Sequence, residues 1–576
     1  MRSNSYNVTH PFLRKIESFE QDSICLIAQS QSHTYGELLD STRNALNLLN
    51  DIKANSVIGI IGDYDLKTLA FFLACVEKGF IVTPLSASLA PKDSIFSPML
   101  QSCIKEGQID YLFYNNTLHS THSTDKKHSI IASLQANHTS GLILFSSGST
   151  GKPKAIVHNL NTLLQGFLEK KPKRINILLF LMFDHIGGLN TLFNVLSLGA
   201  CGITLKNRKD MREIAKSIQD YKIALLPASP SLLHLFLLSN PTQLYDLSSL
   251  RLITYGTEKM SDSLLAKLKN AFPKVRFHQT FGASEIGITQ TTTKDNFIRL
   301  DNMEYKIVNN ELFIKSHTNA LGYLNSDNSV FDDKGYFATG DLVEVKTING
   351  EEYIKIIGRA KEVINVGGEK VIPQEVEGVL LQIPFISDCV VYGESNAITG
   401  QSVSVKVVLD SNHYEWVQNG KELDSKNTDS NTAEAVCDSL TESTNLESGN
   451  TDSTAEVFLS DFSGFQAKGE GSYLRGNDQA LSEESAKSTK ETTQVTQNLE
   501  LKKYIRTFCK DKLAPFKIPS KVSIVESLEV SERFKKLRLT NGGGGVTLYE
   551  SRCYVSYCYE SLSLRHISIC ENLQCA

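Results

Sequence analysis

The sequence has no long hydrophobic run and no strong excess of charge. Its apolar stretch at residues 177–183 is too short to span a bilayer, and its first residues contain no apolar signal-peptide core. We therefore expect a cytoplasmic protein without integral membrane association. The 59 lysines and arginines nearly balance the 64 aspartates and glutamates, and no basic stripe is interleaved with aromatic residues, so nucleic acid is not an expected partner.

A disulfide framework and a cysteine-based metal cluster are not indicated either. Four of the 11 cysteines crowd the C-terminal end, at positions 553, 558, 570 and 575, with two C-x4-C spacings. This is not a usual zinc spacing, and no ligand-spaced histidine pair accompanies it, which argues against metal binding there. Five others lie singly in apolar or helical contexts, as reduced core cysteines do: Cys25, Cys75, Cys103, Cys201 and Cys389.

The hydrophobic pattern predicts an α/β fold. At 576 residues the chain is long enough for two or more domains. From Val57 onward, short β-branched runs alternate with longer amphipathic segments, for example VIGIIGD, LKTLAFFLACVEKG and FIVTPL. Such alternation predicts repeated βα units, and therefore a large layered N-terminal domain with parallel sheets and helices.

Changes in composition divide the chain. The segment KTINGEEYIKIIGR has a strong hairpin turn signal at Asn349-Gly350, and we place a domain boundary at its end, near Arg359. A later stretch is rich in Ser, Thr, Asp, Glu and Asn and poor in apolar periodicity, which predicts a mostly disordered insertion. We expect a large domain at 1–359, a small C-terminal domain in two parts at 360–409 and 498–540, the insertion at 410–497, and a tail at 541–576 that is either unstructured or a small appended element.

The most informative stretch is LILFSSGSTGKPKA, in which an apolar strand leads into a loop of serine, threonine and glycine that closes on two lysines. Small residues let backbone N–H groups approach an anion, and Lys152 and Lys154 supply positive charge, so the loop is a candidate phosphate site. It is not a Walker loop, because proline follows Lys152 and because Gly148 and Gly151 are too close together. A serine-rich linker is the alternative, but the preceding apolar strand argues against it.

The string SSGSTGKPKA resembles the phosphate-loop signature of the adenylate-forming superfamily, which includes acyl-CoA synthetases, aryl-CoA ligases, peptide-synthetase adenylation domains and luciferases. The family pattern ends in Pro-Lys-Gly, and Ala155 replaces that glycine, which matters if the backbone there needs a positive φ. Other family motifs recur in order over roughly residues 44–538, the insertion omitted. The resemblance implies that ATP phosphates bind Ser146, Ser147, Gly148, Ser149, Thr150, Gly151 and Lys154.

Two further loops resemble those that embrace adenine and close the acyl pocket in the family. The first is YGTEKM, which contains Gly256 and Thr257. The second is QTFGASEIG, in which Phe281 precedes Gly282 where the family usually has tyrosine, and Ser284 stands in place of threonine. Stacking against adenine needs only an aromatic face, and a serine hydroxyl can still reach the α-phosphate, so both replacements are compatible with the implied role.

The resemblance also implies a metal ligand and a residue at the substrate. Glu285 is the candidate carboxylate for Mg²⁺, with Thr150 as a second ligand, since Mg²⁺ prefers hard oxygen ligands and keeps several waters. A carboxylate at a helix entry is the alternative for Glu285. The segment FDHIGG resembles the motif that lines the approach of the substrate carboxylate, and His185 fills that place; a satisfied core histidine is the alternative.

The motifs GYFATGDL and GRAKEVINVGGEK resemble those that bind the ribose and join the two domains. They place Asp341 and Arg359 at the ribose hydroxyls, where an acceptor and a forked donor suit a vicinal diol. A turn carboxylate and a surface arginine are the alternatives. The resemblance makes Lys361 the hinge of a small, mobile α+β domain, and it assigns Gly367 and Gly368 to a loop that helps to form a thiol channel.

The segment SERFKKLR resembles the motif that carries the catalytic lysine of the family, in which two residues separate the lysine from a following arginine. Lys535 has that spacing to Arg538, and Lys536 is its rival. An ammonium that touches both the carboxylate and the α-phosphate would stabilise the charge that develops during attack. Because the usual preceding glycine is absent, a solvated basic strand is the alternative.

The resemblance implies a ligase that uses ATP and Mg²⁺ to convert a small-molecule carboxylic acid into an acyl-adenylate and then transfers it to coenzyme A. Ile186 stands where amino-acid-activating domains carry aspartate, so we expect a fatty or aromatic acid, near Leu189, Phe193 and Ile286. One alternative is a free-standing enzyme that loads the phosphopantetheine of an acyl carrier protein. Another is a degenerate nucleotide-binding protein without activity, suggested by Ala155, the insertion and the unmatched tail.

Overall fold

The structure, a computed structural model, describes residues 8–91, 96–121, 126–146, 152–287, 289–410, 499, 501–529 and 536. The expected insertion therefore lies outside the described residues except for Asp410, and the tail lies outside them entirely. The same holds for Lys535 and for five residues of the phosphate loop, Ser147, Gly148, Ser149, Thr150 and Gly151.

Strands and helices alternate along the N-terminal part of the chain. Its strands are β1 (Ile24–Ala28), β2 (Gln31–Thr34), β3 (Val57–Gly62), β4 (Ile81–Ser86), β5 (Tyr111–Tyr114), β6 (Thr117–Ser120), β7 (Gly141–Ser146), β8 (Lys154–Asn159), β9 (Asn176–Leu178), β10 (Cys201–Ile203), β11 (Leu225–Ala228), β12 (Leu252–Tyr255) and β13 (Arg276–Gln279). Its helices are α1 (Pro11–Glu17), α2 (Tyr35–Leu48), α3 (Leu66–Lys78), α4 (Pro98–Glu106), α5 (Ser129–Ala136), α6 (Leu160–Leu168), α7 (Ile186–Leu198), α8 (Met211–Asp220), α9 (Pro230–Leu238), α10 (Pro241–Leu244) and α11 (Asp262–Ala271).

Strands dominate the rest of the described chain. They are β14 (Gln290–Lys294), β15 (Phe297–Asp301), β16 (Glu304–Val308), β17 (Glu311–Lys315), β18 (Gly322–Tyr323), β19 (Phe337–Ile348), β20 (Glu351–Arg359), β21 (Ile364–Val366), β22 (Glu369–Val371), β23 (Ile386–Asn396), β24 (Gly400–Leu409) and β25 (Lys521–Ile524). One helix, α12 (Pro373–Leu380), follows β22, and residues 501–510 are helical.

The strands form two seven-stranded sheets and two smaller ones. The first large sheet has the order β13-β12-β11-β9-β10-β1-β2, and the second has the order β18-β8-β7-β4-β3-β5-β6. Their central pairs are parallel, for example β3 with β4 and β11 with β12. One hydrophobic cluster contains side chains from both sheets and from α2, α3, α6 and α7, so it joins them into a layered unit. The expected α/β class with parallel sheets is confirmed.

Local sequence signals explain where these helices begin and end. Helix α2 starts with a capping box, in which the Thr34 side chain accepts from the Glu37 backbone N–H and Glu37 binds back to the Thr34 backbone. Helix α3 starts at the Asp65 cap and ends at Gly79, which has φ +76°. All but the last residue of β3 are buried, as expected of a strand that is covered on both faces.

Two antiparallel regions complete the fold. A six-stranded sheet has the order β14-β15-β20-β19-β17-β16, and its β19–β20 hairpin turns at Asn349-Gly350, as the sequence predicts. A last sheet, β22-β21-β24-β23 with β25 beside β24, packs with α12 and with helical residues around Leu501 and Cys509 in a separate hydrophobic cluster. The five cysteines expected to be reduced are free thiols and buried, which confirms that prediction.

Candidate active site

A cavity of about 200 Å³ lies where the last sheet meets the larger part of the molecule. Its wall is built from segments that are far apart in sequence, including the loop after β12, the segment after β13, the β19–β20 hairpin and α12. Six residues that the sequence assigns to the nucleotide line it together: Gly256, Thr257, Phe281, Gly282, Asp341 and Arg359. His234 of α9 and Lys536 also line the cavity.

The loop after β12 requires a glycine at its first position. A Cβ atom on Gly256 would lie 2.6 Å from the Thr280 hydroxyl oxygen and 2.7 Å from the Thr280 carbonyl oxygen, so only glycine fits between the two segments. Thr280 also donates its backbone N–H to the Tyr255 carbonyl, at 2.7 Å. The next residue, Thr257, has φ +71°, a strained conformation for a β-branched side chain. Strain of this kind is concentrated at functional sites.

Asp341 and Arg359 form a pair on the cavity wall. They are register partners in the β19–β20 ladder, and the Arg359 Nε donates to Asp341 Oδ1 at 3.1 Å. The aspartate is 8% exposed, whereas the arginine side chain is 53% exposed, so this ion pair adds little stability. Its arrangement places a carboxylate acceptor beside a guanidinium donor, which suits binding to neighbouring hydroxyl groups.

Glu285 is held at both its backbone and its side chain. Its carbonyl oxygen accepts from the Ala320 N–H at 2.7 Å, and its Oε1 accepts from the Tyr323 hydroxyl at 2.9 Å. Burial and the neighbouring Glu285 carboxylate together raise the pKa of Tyr323 well above its usual range, so the phenol stays protonated. The preceding carbonyl, that of Ser284, faces Nε2 of the buried His158 at 2.5 Å. Neither Ser284 nor Glu285 is on the wall of the cavity described above.

The two described ends of the phosphate loop face each other across the β7–β8 ladder. Ser146 is the register partner of Lys154, whose ammonium lies 5.3 Å from the centre of the Tyr323 ring. Asn325 fixes the exit of the loop, since its Oδ1 accepts from the Ala155 N–H at 2.9 Å and its Nδ2 donates to the Pro153 carbonyl at 2.8 Å. Ala155 is buried in the regular ladder without a positive φ, so replacing the family glycine introduces no backbone strain there.

His185 lies at the start of α7. Its Nδ1 accepts from the Gly187 N–H at 3.1 Å, so the structure gives it a helix-capping role, and it is not on the cavity wall. The apolar residues expected near the acid are buried, Leu189 and Phe193 in the main hydrophobic cluster and Ile286 in another. Phe193 packs edge-on against Phe12 and Phe167.

Of the two candidate lysines, Lys535 and Lys536, only Lys536 lies within the described residues. Its Nζ donates to Asp388 Oδ1 at 2.5 Å and to the Cys389 carbonyl at 3.0 Å, and its backbone N–H donates to Glu258. Burial alone would lower the pKa of Lys536, but Asp388 and Glu377 raise it above its usual range. The ammonium is therefore charged and already bound to the last sheet.

The positions assigned to the hinge and the thiol channel lie in exposed turns. Lys361 is exposed in a 3₁₀ turn, Ala360–Glu362, between β20 and β21. Gly367 and Gly368 form the two-residue turn of the β21–β22 hairpin with φ +60° and +94°, a conformation that favours glycine. The Gly367 N–H donates to the Thr399 carbonyl at 2.9 Å, and neither glycine lines the cavity.

Sequence reasoning missed four residues that organise these groups: His158, Tyr323, Asn325 and Asp388. Asn325 acts on backbone atoms 170 and 172 positions away, and Tyr323 acts on a side chain 38 positions away. No local pattern reports contacts of this range.

Among the described residues, no cluster of three or more His, Cys, Asp or Glu side chains could hold a metal, and no helix is long and apolar enough to cross a membrane.

The buried His158 gives a test of the packing behind Ser284. Burial lowers the pKa of His158 from 6.5 to about 4, so the folded protein keeps the ring neutral over a range in which the unfolded chain binds a proton. The stability that the neutral His158 contributes should therefore be fully present above pH 6.5. The free energy of unfolding should fall by about 3 kcal/mol as the pH drops from 6.5 to 4. The variant His158→Gln keeps a donor without titrating, and urea unfolding at several pH values should show a flatter acid limb. An unchanged slope would contradict the buried, neutral state.

Comparison with known proteins identifies a family that the chain matches. The family model described as AMP-binding enzyme matches residues 12–324. The chain is similar to 4-coumarate--CoA ligase-like 9 of Arabidopsis thaliana, with 25% identity over 411 residues that cover 62% of this chain and 72% of that protein. It is also similar to the acyl-CoA ligase easD of Emericella nidulans, with 29% identity over 226 residues that cover 35% of this chain and 40% of that protein.

Among solved structures, the chain is similar to the anthranilate CoA ligase AuaEII, whose structure was determined in complex with anthranoyl-AMP. The superposition has a TM-score of 0.63 and covers 93% of this chain and 97% of that one, with 14% sequence identity. At that identity the likeness concerns the fold, and it extends over nearly the whole length of both chains.

Proposed function

This chain belongs to the AMP-binding enzyme family, and we propose that it joins a carboxylic acid to a thiol through an acyl-adenylate. In the first half-reaction a carboxylate oxygen attacks the α-phosphorus of ATP, and pyrophosphate leaves. In the second, the sulfur of the thiol attacks the carbonyl carbon of the mixed anhydride, and AMP leaves. Coenzyme A is the proposed thiol, and the phosphopantetheine of a carrier protein is the alternative that the experiment below distinguishes.

The observation that carries this proposal is the convergence of four separate motifs on one cavity. Phe281 offers an aromatic face to a base, and the lack of a side chain at Gly256 lets the loop after β12 lie directly against Thr280 on the same wall. Asp341 and Arg359 stand together as acceptor and donor for the ribose hydroxyls. This combination supports binding of a purine nucleotide with its sugar on the β19–β20 hairpin.

The ribose assignment predicts a selective effect of Asp341→Asn. Loss of a hydrogen bond to a charged group should weaken ATP binding by roughly 10–100-fold and should abolish most of the preference for ATP over 2′,3′-dideoxy-ATP. Calorimetric titration of both nucleotides measures this. The matched control is Asp301→Asn, because Asp301 pairs with Arg299 at 2.8 Å in the same sheet but is not on the cavity wall. An Asp341→Asn variant that still discriminates the two nucleotides like the unmodified protein would rule out the ribose contact.

Magnesium fits the one described residue that the sequence assigns to it. Glu285 has Oε1 occupied by Tyr323, whereas no described residue binds its Oε2. One free carboxylate oxygen, with Thr150 and phosphate oxygens, is the kind of donor set that Mg²⁺ accepts. The ion would neutralise charge on the triphosphate. Glu285 itself presents an oxygen fixed by Tyr323, and Lys154 adds a positive charge that lies 5.3 Å from the ring of the same tyrosine.

The two lysines of the basic segment are proposed to have different roles. The Lys536 ammonium is bound to Asp388 and to a backbone carbonyl, so it is already engaged at the last sheet. We therefore propose Lys535 as the residue that contacts the acid and the α-phosphate during attack. His185 is proposed to line the approach of the acid, with its ring orientation set by the cap of α7.

The acid is proposed to be aromatic or fatty. Ile186 stands at the position after His185 where amino-acid-activating domains carry the aspartate that binds the ammonium of an α-amino acid, which disfavours an α-amino acid as substrate. Two similar proteins carry the names of aromatic acids, 4-coumarate and anthranilate, and we therefore propose substituted benzoates and cinnamates as the first candidates to test.

The proposal is tested by ATP–pyrophosphate exchange with a panel of aromatic, fatty and amino acids. We expect exchange that depends on an aromatic or fatty acid, and thioester formation when coenzyme A is added. A thioester with a phosphopantetheinylated carrier protein, and none with coenzyme A, would replace the proposed acceptor. ATP binding without exchange for any acid in the panel would contradict the proposed activity and favour a protein that only binds nucleotide.

A further inference from the structure

The short strand β18 contacts both the strand that begins with Lys154 and the segment that contains Glu285. In the proposed function, both of these elements face the triphosphate. The residues of β18 pair antiparallel with β8, Gly322 with Val157 and Tyr323 with Ile156. Flanking bonds from Leu321 N–H to the Val157 carbonyl, 2.7 Å, and from Leu324 N–H to the Ala155 carbonyl, 3.0 Å, extend this pairing. Strand β18 is therefore fixed to the strand that begins with Lys154.

The same segment also holds Glu285. The Ala320 N–H donates to the Glu285 carbonyl, and the Tyr323 hydroxyl donates to the Glu285 Oε1 at 2.9 Å. Tyr323 is 3% exposed, and its backbone N–H donates to Asn328 Oδ1 at 2.7 Å, so the ring has little freedom to move. One side chain thus fixes one oxygen of the carboxylate.

Opposite charges approach the same tyrosine from two directions. The Lys154 ammonium lies 5.3 Å from the centre of the ring, while the Glu285 carboxylate is bound at the hydroxyl end. No ion pair forms between Lys154 and Glu285 in the described residues, although such a pair would neutralise both groups. The cation–π contact and the phenol hydrogen bond give each charge a neutral partner instead.

We propose that Tyr323 is a positioning residue that keeps Glu285 Oε2 available to the metal–triphosphate and keeps the carboxylate apart from Lys154. The inference rests on the proposed function for its metal and nucleotide. Without the hydroxyl, the Glu285 side chain gains rotamers, including ones that pair with Lys154, and fewer molecules hold the carboxylate in the productive position.

The test is the variant Tyr323→Phe in the full chain, which keeps the ring and its contact with Lys154 and removes only the hydroxyl. We expect the Mg²⁺ concentration that half-saturates the magnesium-dependent increase in ATP affinity to rise by about 10-fold, whereas ATP binding in EDTA stays within about twofold. Equilibrium titration of ATP at increasing Mg²⁺ measures this without turnover. The kcat of acid-dependent exchange should fall by a similar factor with little change in the KM of the acid.

Tyr305→Phe is the matched control, because the Tyr305 hydroxyl donates to the Glu352 carboxylate at 2.6 Å on an exposed part of the antiparallel sheet. It should leave the Mg²⁺ dependence unchanged. Equal Mg²⁺ dependence of Tyr323→Phe and the unmodified protein would overturn the positioning role. Absence of exchange in the unmodified protein would defeat the proposed activity instead, and the Mg²⁺ titration would still decide the role of Tyr323, so the two failures are distinguishable.

Discussion

Lys535→Ala is expected to lower the rate of acid-dependent ATP–pyrophosphate exchange by about 10²–10³-fold while the affinity for ATP changes little. A positioned ammonium acts mainly on charge that develops as the carboxylate oxygen bonds to the α-phosphorus, so its loss affects the transition state more than the bound nucleotide. Exchange at saturating acid and ATP, together with a calorimetric titration of ATP, measures both quantities.

The matched comparison is removal of the neighbouring lysine together with its partner, Lys536→Met with Asp388→Leu. Removing both charges avoids leaving the partly buried Asp388 carboxylate without its cationic partner, which would itself be destabilising. We expect this double variant to lose less than about 10-fold in exchange, because Lys536 is bound to Asp388 and the Cys389 carbonyl. A larger loss in the double variant than in Lys535→Ala would transfer the catalytic role to Lys536.

Gly188→Ala is expected to destabilise the fold by about 3 kcal/mol or more. A Cβ atom at Gly188 would lie 1.9 Å from the Met182 carbonyl oxygen and 2.5 Å from the Tyr64 hydroxyl oxygen. Backbone has to move to relieve the first contact, and that backbone leads directly into the His185 cap of α7. Urea unfolding should show a lower midpoint, and exchange should be reduced as well.

Gly166→Ala is the control for this substitution. Gly166 lies inside α6, where no atom comes within 4 Å of an added Cβ, so alanine should stabilise the helix by up to about 1 kcal/mol. Opposite signs are therefore expected for the same chemical change at two glycines. Equal midpoints for both variants would contradict the packing around Gly188.

Local signals in the sequence predict the elements well where one principle dominates. The Asn349-Gly350 turn, with φ +55° and +81°, and the buried parallel strand β3 follow from turn preference and hydrophobic pattern alone. The cavity residues Gly256, Phe281 and Asp341 could be assigned because each lies within a short motif of recognisable order. The structure then shows that these separate motifs share one wall.

The remaining features depend on which face of an element meets which neighbour. Leu189 and Phe193 lie next to the His185 motif in sequence, but the helical rotation of α7 directs them into the main hydrophobic cluster. Spacing left Lys535 and Lys536 as rivals, because the contact on which our proposal for Lys535 rests joins Lys536 to Asp388, 148 positions away. The bond from Tyr323 to Glu285 was missed for the same reason.

Attack of a carboxylate oxygen on the α-phosphorus is tested most directly by isotope transfer. An accepted acid labelled with ¹⁸O in its carboxylate is incubated with ATP, Mg²⁺ and coenzyme A, and the nucleotide and phosphate products are analysed by mass spectrometry. We expect AMP that carries one ¹⁸O from the acid, with unlabelled pyrophosphate. Formation of ADP, with the label in inorganic phosphate, would contradict the proposed chemistry.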